Sequence, residues 1–70
     1  MSWDQKYVNY GVIKIDASFN VVRVFHSNTS YDNIHISDVI SAVWAGNEVL
    51  ITQKNGKMRK YSSTSSYNNV

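Results

Sequence analysis

The sequence predicts an all-β protein, a small five-stranded antiparallel barrel or strongly bent meander of the SH3-like or Sm-like kind. Three observations predict this fold: five segments rich in β-branched and aromatic residues, tight turns between most of them, and one longer loop at residues 27–33. A chain of 70 residues forms one domain at most. Its core is thin, because a domain of this size buries only about 60% of its unfolded surface.

The first two strands follow from residue type. Residues 8–15 and 21–26 are rich in β-branched and aromatic side chains, and residues 16–20 (DASFN) supply turn formers between them. Before them, residues 2–7 (SWDQKY) show no alternation and indicate an irregular or helical turn.

A short strand is also expected around Ile34 and Ile36, which alternate with polar neighbours. The chain is expected to bend at Ser37 and Asp38 and continue as a strand. The competing interpretation is that residues 37–43 begin as a helical turn, since serine is a good helix N-cap.

The last third predicts a three-strand antiparallel meander over residues 39–45, 48–54 and 57–62. Gly46-Asn47 and Asn55-Gly56 separate the strands. Asn-Gly favours a type I′ turn, in which both central residues have positive φ, and Gly-Asn suits a type II′ turn.

Two-residue loops would fix the register of this meander. Trp44 then faces Val49, Ile40 faces Gln53, and Trp44 is buried. The predicted core face carries Ile40, Ala42, Trp44, Val49, Ile51 and Met58. The opposite face carries Ser41, Thr52, Lys54, Lys57 and Arg59, with Val43, Leu50 and Tyr61 beside them. In this register Arg59 pairs with Thr52.

Charge is unevenly distributed along the chain. The net charge is +2, yet every Asp and Glu lies within residues 1–48, and residues 49–70 carry four basic residues and no acid. This distribution has two interpretations, of which a solvated hairpin tip is favoured. The other is a contact for a nucleic acid or an acidic partner, formed by Thr52, Lys54, Lys57, Arg59 and Tyr61. Cations there would contact phosphates and the tyrosine would stack on a base. The solvated tip is favoured because hairpin tips are commonly charged, and lysines near a strand edge also discourage aggregation.

Apolar residues occur on both faces of the first hairpin. Val12, Val22 and Val24 are assigned to one face, and Ile13, Ile15, Val21 and Phe25 to the other. A tightly coiled barrel can bury part of both faces. The alternative is self-association, with Val21 or Phe25 near the contact, which would help so short a chain bury enough apolar surface.

Catalytic, metal and cofactor sites are not predicted. The chain has no Cys, its two histidines have no metal-ligand spacing, and no Gly-x-Ser-x-Gly motif occurs. The predicted function is a small non-enzymatic binding module that acts through protein–protein contacts and self-associates as a homo-oligomer. The alternative is a weak nucleic-acid-binding β-barrel that uses the hairpin at residues 52–61. No small-molecule substrate or membrane partner is expected.

Domain organisation and location follow from the same sequence. Residues 1–62 are predicted to form a single small β domain, and residues 63–70, rich in Ser and Asn, a polar and flexible tail. The first ten residues lack the apolar stretch of a signal peptide, and the longest apolar run, Ala42 to Ala45, is far shorter than a membrane span. A cytoplasmic location is therefore expected.

Two short stretches resemble the motifs of Sm proteins. Residues 44–51 (WAGNEVLI) look like the second Sm motif, in which a Gly-Asn or Gly-Asp turn precedes an apolar strand. Residues 11–22 (GVIKIDASFNVV) are similar to the first motif, with a spacing one residue shorter. The family places a basic residue, a usual RNA contact, where this chain has Ala45, and its N-terminal helix has no clear match in residues 1–8. The fold prediction rests on the strands and turns.

Overall fold

In the computed structural model, which describes residues 3–70, the strands form two antiparallel sheets. The elements are α1 (Gln5–Tyr10), β1 (Ile13–Asp16), β2 (Val21–Phe25), β3 (Tyr31–His35), β4 (Val39–Ala45), β5 (Glu48–Gln53), β6 (Met58–Tyr61) and β7 (Tyr67–Asn69). The first sheet has the order β1-β2-β3 and the second the order β4-β5-β6-β7. The all-β prediction is confirmed. Residues 3–70 do not close into a barrel, so the prediction of a barrel is not confirmed.

Both sheets contribute to one hydrophobic core. The fully buried side chains are Val22 and Val24 from β2, Ile34 from β3, and Val49 and Ile51 from β5. Burying a side chain of this kind contributes about 1.5–3 kcal/mol relative to leaving it in water. The core therefore holds the two sheets together.

Trp3 closes one end of this core. Its ring is buried, and its indole Nε1–H donates a hydrogen bond of 3.0 Å to the carbonyl of Tyr61 in β6. The ring also meets Trp44 edge-on, with the ring centroids 6.0 Å apart. The segment before α1 is thus tied to the second sheet.

Capping residues define α1, which the sequence did not predict correctly. The Asp4 side chain accepts a hydrogen bond from the backbone N–H of Lys6, and Gly11 ends the helix at φ 72°. The strand predicted over residues 8–15 is therefore wrong in its first part, and β1 begins only at Ile13. Six residues are too few for a stable isolated helix, so packing of Tyr7 against the core supports it. The irregular or helical turn was predicted from residue 2, which lies outside the described residues.

The register of the first hairpin also corrects the prediction. Ile13 pairs with Val24 and Ile15 pairs with Val22, so these four side chains share the core side of the sheet. The assignment of Ile13 and Ile15 to the face of Val21 and Phe25 was wrong. Pairing through a four-residue turn at residues 17–20, in which Asn20 has φ 53°, produces this register.

The chain then turns a corner between the sheets. The strand expected around Ile34 and Ile36 runs instead from Tyr31 to His35, so the preceding loop is shorter than predicted. Asp38 has φ 57° at the corner, and β4 starts at the next residue. The helical-turn interpretation of residues 37–43 is therefore wrong, and the strand interpretation is confirmed.

The register between β4 and β5 agrees with the prediction near the turn. Trp44 pairs with Val49 as predicted, and it is partly buried against the core. Further along, Gln53 pairs with Val39, because the register shifts between Val39 and Ser41. Ile40 consequently leaves the predicted core face and is 60% exposed.

The register between β5 and β6 differs from the prediction by one residue. The Gln53 N–H donates to the carbonyl of Lys57 at 2.9 Å, so three residues, Lys54 to Gly56, form the loop. Of these three only Gly56 has a positive φ, 86°, as in a type I turn followed by a glycine bulge.

This shift exchanges the two faces of β6, since side chains alternate along a strand. Thr52 pairs with Met58, and Arg59 pairs with Ile51. Met58 therefore leaves the predicted core face, while Tyr61 enters the core.

The segment at residues 63–70 contains a strand that the sequence did not predict. Tyr61 pairs with Tyr67, and the Val70 N–H donates a hydrogen bond of 3.0 Å to the carbonyl of Met58. This strand, β7, is the outer edge of the second sheet. Flexibility of the segment stays a prediction.

Candidate interaction surface

The five side chains predicted to contact a nucleic acid do not lie on one surface. Lys54 and Lys57 are exposed at the hairpin loop. Thr52 is partly buried on the side of the second sheet that faces away from the core. Arg59 and Tyr61 point to the core side, because of the three-residue loop. Of the five, only the two lysines are exposed.

Arg59 is engaged by two tyrosines. Its Nη1 donates a hydrogen bond of 3.2 Å to the Tyr61 hydroxyl, and its guanidinium lies 4.4 Å from the centroid of the Tyr67 ring. The hydrogen bond to Tyr61 raises the pKa of Arg59 above its ordinary value. The centroids of the Tyr61 and Tyr67 rings lie 4.9 Å apart. The three side chains thus hold β7 against β6.

The two residues predicted for self-association lie on the first sheet, on the face turned away from the core. Val21 is 4% exposed and Phe25 is 8% exposed. The Phe25 ring is covered by the Tyr31 ring, 4.9 Å away, and by the Lys14 amine, 5.4 Å from its centroid. A partner would therefore meet the covering side chains before it met Phe25.

Phe25, the side chains that cover it and their neighbours form a cluster that we call the outer patch. It consists of Lys14, Asp16, Phe19, Arg23, Phe25 and Tyr31. Register places most of them together, since Lys14 pairs with Arg23, Asp16 with Val21, and Phe25 with Tyr31.

Arg23 lies at the centre of the outer patch. Its guanidinium is 4.9 Å from the Tyr31 ring centroid and 5.8 Å from that of Phe19. Its Nη1 forms an ion pair of 3.0 Å with Asp16. Phe19 is 69% exposed and Tyr31 38% exposed. The patch therefore presents two accessible aromatic rings on either side of a positioned arginine.

Sequence reasoning missed Phe19, Arg23 and Tyr31 as surface contacts. Phe19 was assigned only to a turn, and Tyr31 to a loop. The available signal was the alternation within β2, in which Arg23 lies between Val22 and Val24 and must project away from the core.

β3 has an open edge beside the outer patch. Hydrogen bonds flank the edge of β3 that pairs with β2. There the His26 N–H donates to the Ser30 carbonyl and the Ile36 N–H donates to the Asn20 carbonyl, both at 3.1 Å. Hydrogen-bonded positions alternate in an antiparallel pair, so the backbone groups of even-numbered residues from 30 to 36 face β2. The N–H and C=O groups of Tyr31, Asn33 and His35 consequently point out of the sheet.

α1 contacts this region from the core side. The Tyr7 hydroxyl donates a hydrogen bond to the Asp32 carboxylate. That hydrogen bond, together with burial, raises the pKa of Tyr7 to about 12. Asp32 alternates with Tyr31 and Asn33, so this contact leaves the outer side of β3 uncovered.

A cleft lies between the sheets, next to the turn that joins β1 and β2. It has a volume of about 140 Å³, and Asp16, Val21, Asp38 and Lys54 are among the residues that line it. Ligand sites usually have about 300–1,000 Å³. Among residues 3–70, no three side chains of the metal-ligating types His, Cys, Asp and Glu form a group.

No protein-family model matches the sequence, and comparisons with curated proteins and with solved structures found no match either. Within residues 3–70, no helix has the length and apolar character needed to cross a membrane.

Proposed function

We propose that this protein is a small non-enzymatic binding module that acts through protein–protein contacts and self-associates. The observation that carries the proposal is the outer patch, in which two accessible aromatic rings flank Arg23. Tyrosine and arginine are enriched among the residues that dominate binding energy at protein interfaces, and aromatic residues in general are enriched in interface cores.

The charges of the outer patch favour a protein partner. Asp16 lies 3.0 Å from Arg23 and neutralises it, which leaves Lys14 as the unpaired charge of the patch. A surface that binds a polyanion gains affinity from several cations that are free to contact phosphates. A nearly neutral aromatic surface fits a protein contact better.

Positioning of Arg23 also favours binding. The ion pair and the two neighbouring rings hold its long side chain in place before any partner arrives. Immobilising such a side chain at an interface costs about 0.5–1.5 kcal/mol. Part of that cost is already met in the free protein.

We also propose that the fold of this domain is SH3-like or Sm-like. Support comes from strands of three to seven residues in two antiparallel sheets that contribute to one core. An exposed strand edge of such a domain can bind a partner that adds a strand to the sheet.

Nucleic-acid binding through the hairpin at residues 52–61 is the second candidate. Exposure of Lys54 and Lys57 at the loop supports it. Two phosphate contacts on a single strand predict a log-log salt slope of about −1.4. Titration of a labelled oligonucleotide at two salt concentrations, with Lys54→Ser and Lys57→Ser as controls, tests this candidate directly.

Sedimentation analysis tests the main proposal. We expect the mass to rise with concentration in the micromolar range, and Phe19→Ser to raise the dissociation constant at least tenfold, or ~1.4 kcal/mol. Ile40→Ser is the matched control, because Ile40 is also a large exposed apolar residue but lies on the second sheet. If both substitutions had an equal effect, the outer patch would not be part of the contact. A monomer at all concentrations would refute self-association.

A further inference from the structure

We infer that β3 pairs with β3 of a second copy of this chain, antiparallel and centred on Asn33, so that two three-stranded sheets become one six-stranded sheet. This inference rests on the proposed self-association and specifies its geometry. It starts from the open edge of β3, where every second residue leaves a backbone N–H and C=O without a strand partner.

The other sheet edges of the described residues are less suited to pairing. β1 lies next to β4, and the register of β4 is irregular between Val39 and Ser41. β7 has only three residues. Irregular or short edge strands are features that prevent pairing with another chain.

β3 lacks these protective features. Its five residues pair with β2 without a register shift, from Tyr31 opposite Phe25 to His35 opposite Val21. The strand contains no proline or lysine, and Asp32, its one acid, projects to the core side and is hydrogen-bonded by Tyr7.

Centring on Asn33 aligns the open backbone groups of both strands. Asn33 then faces Asn33 of the second copy, and Tyr31 faces His35 of the second copy. Each of these pairs exchanges two backbone hydrogen bonds. The facing Tyr and His rings make an aromatic cross-strand pair, and the two Asp32 carboxylates are not directly opposite.

The side chain of Asn33 supplies an independent observation. Its Oδ1 is buried and has no hydrogen-bond partner within the described residues. A buried acceptor of this kind is costly to leave unpaired. In the proposed register, a turn of the Asn33 side chain toward the strand edge lets this oxygen accept a hydrogen bond from the amide of the facing Asn33.

The same pairing would join the two outer patches. Tyr31 belongs both to the outer patch and to the open edge, and Arg23 is its neighbour on the same face. In the paired sheet the two patches lie side by side across the junction. Substitutions in the outer patch and at the strand edge are therefore expected to weaken the same contact.

The first test places like charges at the centre of the junction. In Asn33→Lys the two new ammonium groups face each other, and we expect the dissociation constant measured by sedimentation to rise at least tenfold. Asn69→Lys is the matched control, since Asn69 is also an edge-strand asparagine and gains the same charge outside the junction. Asn69→Lys should associate like the unchanged protein.

A mixing experiment tests the register itself. Asn33→Lys and Asn33→Asp should each be monomeric alone, and an equimolar mixture should form a heterodimer, because opposite charges then meet at residue 33. No association in the mixture would overturn pairing centred on Asn33.

Backbone hydrogen exchange of the unchanged protein tests the pairing without any substitution. The amides of Tyr31, Asn33 and His35 should become protected as concentration rises, whereas those of Asp32 and Ile34 should be protected at every concentration. Association without protection of the first three amides would overturn edge pairing and leave self-association standing. Absence of association at any concentration would refute both.

Discussion

The outer faces of the two sheets differ in how their apolar side chains are covered. In the first sheet, the side chains of Lys14, Arg23 and Tyr31 lie across the face, and Phe25 beneath them is almost fully buried. In the second sheet, Val43 remains exposed on the corresponding face. The smaller sheet therefore has buried apolar side chains on both of its faces, and the larger sheet mainly on one.

This difference shows that a sheet face can be covered without a second layer of backbone. The stems of lysine and arginine cover apolar surface while their charged ends stay near water. The covering side chains also form the outer patch, so the same residues shield Phe25 and present a surface to a partner. In the second sheet, the Arg59 side chain has a comparable role, but on the core side and against β7.

The largest expected effect comes from the core that both sheets share. Ile34→Ala should cost about 2–5 kcal/mol, because Ile34 is fully buried and its truncation leaves a cavity. Unfolding in urea measures the loss. Ile40→Ala, the same substitution at an exposed residue, should change stability by less than about 0.5 kcal/mol. Similar losses in the two variants would contradict the assigned core.

The side chains that cover the outer faces of the two sheets should differ in their contribution to the free energy of unfolding. Arg23→Ala removes an ion pair and two ring contacts and should cost about 1–2 kcal/mol. Lys60→Ala, on the outer face of the second sheet, should be nearly neutral. Urea unfolding of both variants makes the comparison. A Lys60 effect as large as that of Arg23 would mean that the two faces are covered in the same way.

The contact of β7 provides a smaller test. Tyr67→Ala removes a ring that contacts Arg59 and Tyr61 and should cost about 0.5–1.5 kcal/mol. Tyr10→Ala is the control, since Tyr10 is 40% exposed and Tyr67 is 42% exposed. Amide exchange at residues 67–69 should accelerate only in the Tyr67 variant. Equal exchange in both variants would show that the ring does not hold β7.

The smallest effect concerns pH. Since the hydrogen bond to Asp32 raises the folded-state pKa of Tyr7 from its ordinary value of 10.0 to about 12, its contribution to stability is complete below pH 10 and is lost as pH rises through about 12. Tyrosinate absorbance should show a late-titrating phenol, that of Tyr7. Tyr7→Phe should remove that late step. A late step that persists in the variant would assign it to another tyrosine.

The sequence predicted the strand-rich class and the turn at Gly46-Asn47, because both depend on local residue preferences. It did not predict the length of the second hairpin loop. Asn55-Gly56 fits either a two-residue loop or the end of a three-residue loop, and only packing of Tyr61 against the core distinguishes them. This shift of the register by one residue determines which of the predicted contact residues share a face.

The helix and the outer patch were missed for different physical reasons. Asp4 and Gly11 are recognisable helix caps, but the β-branched and aromatic residues that follow Gln5 obscured the six-residue helix. The outer patch depends on contacts between strands, and no pattern within one strand reports them. Self-association through Val21 or Phe25 stays a prediction. It now requires their covering side chains to take part.

The hydrogen bond between the Trp3 indole and the Tyr61 carbonyl, 58 residues away in sequence, has a kinetic consequence. The site that receives the Trp3 ring is absent until β6 has paired with β5. The Trp3 ring therefore gains this hydrogen bond only after β6 has formed, whereas α1 itself also contacts β2 and β3 of the first sheet. Contacts between residues so distant in sequence slow folding, and β-rich domains dominated by them fold in about milliseconds to seconds.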